Sequence, residues 1–200
     1  MNGPPNLQPR VINKSQWREF SSIFNKDALL PNMVFNSAAN IYTVFLFDEM
    51  LTSNGAEVLK RFADKFGDQK IKVFSLDPRS YDINSHKYDW FFEFDVSTIS
   101  SEYFRAIDWR PLEPRYPDSM HLISNVICWW GDSCRWGIFG QREFEICISN
   151  QFELTQERNT TIPYWRGSIY DVEKIIEPIG ISKVKSHLFM KELIARYGCR

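Results

Sequence analysis

The sequence lacks most of the features that announce a reactive centre. Cysteine is scarce, with four in 200 residues at 128, 134, 147 and 199, and no pair has C-x-x-C spacing or a histidine pair beside it. That argues against a zinc framework. Only three histidines occur, His86, His121 and His187, and none falls beside Cys or Asp in a nucleophilic arrangement. There is no glycine-rich phosphate loop and no G-x-S-x-G elbow. The longest clean apolar run, Ile41 to Phe47, is far too short to span a bilayer. The start, MNGPPNLQPR, has no hydrophobic centre, so no secretory signal is expected. With Asn2 in second position, no myristoylation is expected either. The net charge of −1 leaves no global basic footprint for nucleic acid or anionic membrane. These absences fit a reduced, cytoplasmic protein without cofactor.

Aromatics, by contrast, are abundant: sixteen Phe, eight Tyr and seven Trp. Such side chains carry large buried areas and also anchor interfaces. Charge is uneven. Between residues 40 and 108, twelve acidic side chains stand against eight basic ones, and the acidic excess gathers late, at Asp77, Asp82, Asp89, Glu93 and Asp95. Such a stretch is either a solvated face or a docking surface for a basic partner.

The organising stretch is Ser119 to Ser149. Two apolar runs, Met120 to Trp130 and Trp136 to Ile148, flank the polar break Gly131-Asp132-Ser133-Cys134. β-branched and aromatic residues around a turn-rich break predict a central antiparallel hairpin. Gly131-Asp132-Ser133 superficially resembles a serine nucleophile, yet a strand follows it, so a hairpin turn is the better reading. Cys128 and Cys147 fall inside the strands as small core hydrophobes. Arg142 shares the inward parity of Trp136 and Ile138, which predicts a bulge or turn near Gly140-Gln141.

Upstream, Asn13 and Gln16 predict a capping box opening a short helix over 14–25. Ile41–Phe47 predicts a strand, and Asp48–Ser53 a loop. Asn54 is a candidate cap for a helix that Gly67 closes, and Ile71–Leu76 predicts a second strand. Strand, helix and strand at this spacing suggest a βαβ unit. The polar stretch 78–89 reads as turns. Trp90–Val96 predicts a strand with Phe92, Phe94 and Val96 on one face and Glu93 and Asp95 on the other. A short helix lies within 97–108, and three prolines make 109–118 irregular. Residues 150–167 read as loop, followed by a short helix to Glu177 and a last helix from Ser182 to Tyr197.

The whole predicts an α+β fold: a flexible tail at 1–12, then a single domain over 13–200. Its mixed, mostly antiparallel sheet should have about five or six strands, with helices packed on it.

The segment Trp136-Gly137-Ile138-Phe139-Gly140-Gln141-Arg142-Glu143-Phe144-Glu145-Ile146 resembles strand segments of small cytoplasmic immunity proteins from bacterial polymorphic toxin and contact-dependent inhibition systems. In those, a tryptophan-glycine opens a strand, a polar kink follows and a Phe/Glu/Ile strand ends the pair. The likeness covers the hairpin alone. It implies a non-enzymatic protein that binds and blocks one cognate toxin, and it transfers no binding residue. The surface expected to meet a basic toxin is Asp82, Tyr88, Asp89, Trp90, Glu93 and Asp95, with Tyr88 or Trp90 as anchors. The alternative is a metal-dependent hydrolase or nuclease. Asp48, Glu49 and Asp77 end strands that could neighbour one another, and converging carboxylates there could hold Mg²⁺. Acidic residues also end strands and cap helices for local reasons.

Overall fold

A computed structural model describes residues 8–39, 41–78, 80–83, 86–110, 119–150, 166–176 and 183–198; at 80–83, 86–88 and 183–186 it describes the backbone alone. The strands are β1 (Tyr42–Leu46), β2 (Lys70–Asp77), β3 (Ser80–Ile83), β4 (His86–Asp89), β5 (Phe91–Asp95), β6 (Val126–Gly131), β7 (Gly137–Gln141), β8 (Ile146–Asn150) and β9 (Arg166–Ser168). The helices are α1 (Lys14–Ile23), α2 (Phe47–Met50), α3 (Ser53–Phe66), α4 (Ile99–Ile107), α5 (Met120–Ile123), α6 (Val172–Ile176) and α7 (Lys183–Tyr197). Seven strands form one sheet in the order β5-β2-β6-β7-β8-β1-β9, and every neighbouring pair is antiparallel. The α+β class holds, with more strands than the pattern alone suggested.

The organising stretch is a three-stranded meander rather than one hairpin. Val126–Gly131 is buried at every position, and so are β7 and β8. Alternation sends Cys128 and Trp130 to one face and Ile127 and Trp129 to the other. A strand buried on both faces reads as a continuous apolar run, which is why it looked longer than it is. Met120–Ile123, expected as its beginning, is a short helix, so His121 is not in a central strand. The expected break near Gly140-Gln141 falls immediately after it: Arg142–Phe144 form a 3-10 turn and Glu145 closes it with φ 54°.

The other departure concerns β1 and β2. They run in the same direction and are joined through α2 and α3, but β6, β7 and β8 lie between them. They are therefore not a neighbouring parallel pair. Propensity and spacing describe a strand–helix–strand order; they do not say which strands fill the gap.

Helices cover both faces. On one, α1, α6 and α7 pack Phe20, Phe24 and Leu193 against Phe74, Trp130, Phe139 and Ile148. On the other, α3 and α4 pack Phe62 and Tyr103 against Val73, Phe94, Trp129, Trp136 and Ile138. Asn13 and Gln16 form the expected capping box of α1. Thr52, not Asn54, caps α3, its hydroxyl accepting from Asn54 N, and Gly67 closes the helix in the left-handed region at φ 75°. The stretch expected as turns continues the β2–β5 pair outward as the β3–β4 hairpin. Part of the expected tail is docked: Arg10 N donates to Phe91 O at 2.9 Å, and Ile12 N to Asp89 Oδ2 at 3.0 Å.

Candidate functional site

β5 is one edge of the sheet. Trp90 O accepts from Ser75 N, and Val96 N donates to Gln69 O, so the even-numbered positions turn their backbone groups inward to β2. Phe91, Glu93 and Asp95 turn theirs outward, where Arg10 takes up Phe91 O. The expected acidic residues lie here, and the structure gives each a different place. Asp95 is exposed. Glu93 is half-buried and bonds Lys70 Nζ at 2.8 Å, and that contact raises the Lys70 pKa. Asp89 accepts from Ile12 N. Trp90 is fully buried against Trp109, with ring centroids 6.0 Å apart, so as folded it offers no surface to a partner. Its position on the face shared with Phe92 and Phe94 explains this. The side chains of Asp82 and Tyr88 lie outside the described residues; their backbones are in the β3–β4 ladder.

A second polar region forms around the β6–β7 turn, Gly131 to Trp136. Asp68, only 5% exposed at the end of α3, accepts from Trp136 Nε1 at 2.6 Å and from Ser133 N at 2.6 Å. Gly131 leaves room for that carboxylate; a Cβ there would lie 2.1 Å from Asp68 Oδ2. Asp132 accepts from Gln69 N and Lys70 N. Burial pushes its carboxyl up, but hydrogen bonding to Asp68 and these amides holds it below the usual value. Gly131-Asp132-Ser133 is thus a turn, clamped by two carboxylates.

Beside it opens a cleft of about 310 Å³ lined by Ser22, Ile23, Ser37, Phe66, Cys134, Arg135 and Asn150. The Arg135 guanidinium sits 5.0 Å over the Phe66 ring. Asn150 is 7% exposed and its Oδ1 accepts from Gly137 N at 2.7 Å. Nearby, Lys72 reaches from the interior of β2 to Glu19 of α1 at 2.6 Å. Of these cleft residues only Cys134, in the polar break, stands out in the sequence. They come from α1, the segment after it, α3, the turn and β8, and no local spacing joins them. A partial signal was available in β2, where Lys70 and Lys72 alternate with Ile71 and Val73.

The strand-end carboxylates occupy the opposite rim. β1 and β2 are four strand spacings apart, roughly 19 Å at about 4.8 Å each. Asp48 pairs with Arg142 at 3.3 Å, Glu49 accepts from Asn54 Nδ2 at 2.8 Å, and Asp77 accepts from Asn125 Nδ2 at 3.1 Å. Arg142, the residue whose parity conflicted with a strand, also donates to Ser124 O and His121 O and stacks 4.8 Å over Phe47. It locks the β7–β8 turn to α2 and α5. Among the described residues no three His, Cys, Asp or Glu side chains gather as a metal site.

No described cysteine is activated. Burial pushes the thiols of Cys128 and Cys147 well up. Burial, then the Glu19 carboxylate, raise that of Cys134. Protonated thiols are poor nucleophiles. Among the described residues, no helix is long and apolar enough to cross a membrane. Set against known proteins, the chain matches no family model, no curated protein and no solved structure.

Proposed function

We propose that this protein is a non-catalytic inhibitor of the immunity type, which binds a basic toxin domain against the β5 edge. The observation that carries the reading is the edge itself. Glu93 and Asp95 lie on the outermost strand with backbone groups turned away from the sheet, and Asp95 is exposed. Beyond Phe91, whose carbonyl Arg10 already takes, such an edge leaves backbone groups without a ladder partner among the described residues, open to an incoming strand, and its carboxylates favour a cationic partner. The resemblance of Trp136–Ile146 to immunity-protein strands supports the same class. Of the anchors first expected, Trp90 is internal and the side chain of Tyr88 lies outside the described residues, so the reading rests on the exposed and half-exposed carboxylates.

The metal-dependent hydrolase finds less support. Asp48, Glu49 and Asp77 each serve a local contact, and β1 and β2 are held apart. The deciding experiment is co-expression with the toxin encoded beside the gene. Protection of the host cell, and a complex recovered by pull-down, are expected. Full toxicity with no complex overturns the proposal.

A further inference from the structure

The cleft beside the β6–β7 turn combines features that the toxin-binding reading does not use. Asn150 is more than nine-tenths buried, yet only half of its amide is engaged. Because Oδ1 must be the end that accepts from Gly137 N, Nδ2 is the end left over. Among the described residues Nδ2 has no hydrogen-bond partner, and it belongs to a residue that lines the cleft. Arg135 is exposed and, among the described residues, pairs with no carboxylate; its guanidinium carbon lies 5.0 Å from the centre of the Phe66 ring. Its backbone is fixed, since Arg135 N donates to Ser133 Oγ at 3.3 Å. Cys134, on the cleft wall, has φ 55°. A non-glycine residue there costs of order 1 kcal/mol, and such conformations cluster at ligand-binding sites.

The polarity of the cleft is one-sided. Asn150 Nδ2 and the Arg135 guanidinium are donors, and Ser37 adds an exposed hydroxyl that can donate, whereas the Cys134 thiol already donates to Asp132 O at 3.8 Å. Ser22 contributes little, because its hydroxyl donates to Glu19 O at 2.6 Å. The nearby carboxylates each have partners of their own: Glu19 pairs with Lys72, and Asp68 and Asp132, which keep their charge, accept from Trp136, Ser133 N and the Gln69 and Lys70 amides. Among the described residues that line the cleft, Arg135 alone carries a charge. Gly137 makes the geometry possible. A Cβ there would lie 2.6 Å from Phe24 and 2.8 Å from Ile23, so glycine lets the end of α1 close down on β7 beside Asn150.

We infer that this cleft is a binding site for a small oxyanion, a phosphate monoester or a carboxylate, held by the Arg135 guanidinium and the Asn150 amide. Planar guanidinium matches either group in a two-point contact, and the volume is at the lower end of the small-ligand range. The site stands whether or not the protein blocks a toxin.

The test is an NMR titration of the isotope-labelled full chain with sodium phosphate and, in a second arm, sodium acetate. Sodium chloride at matched ionic strength is the control. Saturable shifts of the Arg135 Nε–H and Asn150 side-chain amide signals are expected in at least one arm, and the arm identifies the anion class. Arg135→Gln should weaken that binding about tenfold or more, since a hydrogen bond to a charged group contributes about 1.5–3 kcal/mol. Arg135 is exposed, so the variant keeps the fold, which the dispersion of the same spectra verifies. Shifts that follow ionic strength alone, that are equal in Arg135→Gln, or that fall away from the cleft overturn the site.

Discussion

Trp136 shows how much one side chain carries here. It is fully buried, packs against Phe62 with ring centroids 4.9 Å apart and planes tilted by 37°, and donates to Asp68 at 2.6 Å. Truncating a large core aromatic costs about 3–5 kcal/mol, and here it also removes a donor from a buried carboxylate. Trp136→Ala is therefore expected to lose about that much in urea denaturation. A loss under about 1 kcal/mol would show that the site collapses around the missing ring. Asp68 was silent in the sequence, because nothing local marks an acid at a helix end as the partner of an indole 68 positions away. The burial of Trp136 was legible from its apolar neighbours.

Among the elements, α3 sets two rules against each other. Its stripe and its closing Gly67 follow from the 3.6-residue period and the left-handed closing position. Its start follows from contact. Gly55 stands in the first turn, where a Cβ would come 2.0 Å from Met50 O, a backbone atom that cannot swing aside. Alanine is the better helix former by about 1 kcal/mol, yet Gly55→Ala is expected to destabilise by about 1–3 kcal/mol through overpacking. Thermal melts decide the sign, and a rise in Tm would refute the clash.

The turn at Ile169–Asp171 gives a pH-dependent case. Ser168 Oγ donates to Asp171 Oδ2 at 2.6 Å, and this contact, ahead of Lys174, depresses the Asp171 pKa. A depressed carboxylate adds stability that is present above its unfolded value, about 3.9, and lost as pH falls through the folded one. Wild type and Asp171→Asn should thus differ in stability at neutral pH and converge in acid. A constant difference across that window would rule out the linkage.

For the whole molecule, the sheet order matters more than any element. β1 comes early in the chain but pairs with β8 and β9, while β2 and β5 stand at the far side of β6. That order parts Asp48 and Glu49 from Asp77 and leaves β5 as a rim. If the rim meets a basic toxin, Asp95→Lys should slow association more than it speeds dissociation. Raising salt should shrink the difference, because exposed charges are screened beyond about 10 Å at 0.1 M. Stopped-flow association with the purified toxin measures both, and an unchanged on-rate would move the interface elsewhere.

The amino-acid sequence alone determined that this chain is α+β, that the stretch from Ser119 to Ser149 carries its central strands, that Asn13 caps α1, and that the strand ladder breaks near Gly140-Gln141. Each rests on local periodicity, capping or parity, which neighbouring residues specify. Only the tertiary structure decided the strand order, the burial of Trp90, the Asp68–Trp136 bond and the cleft that joins Arg135 to Asn150. Those depend on contacts between residues far apart in the chain, and a pattern read along one strand or helix says which face is apolar, not what that face meets.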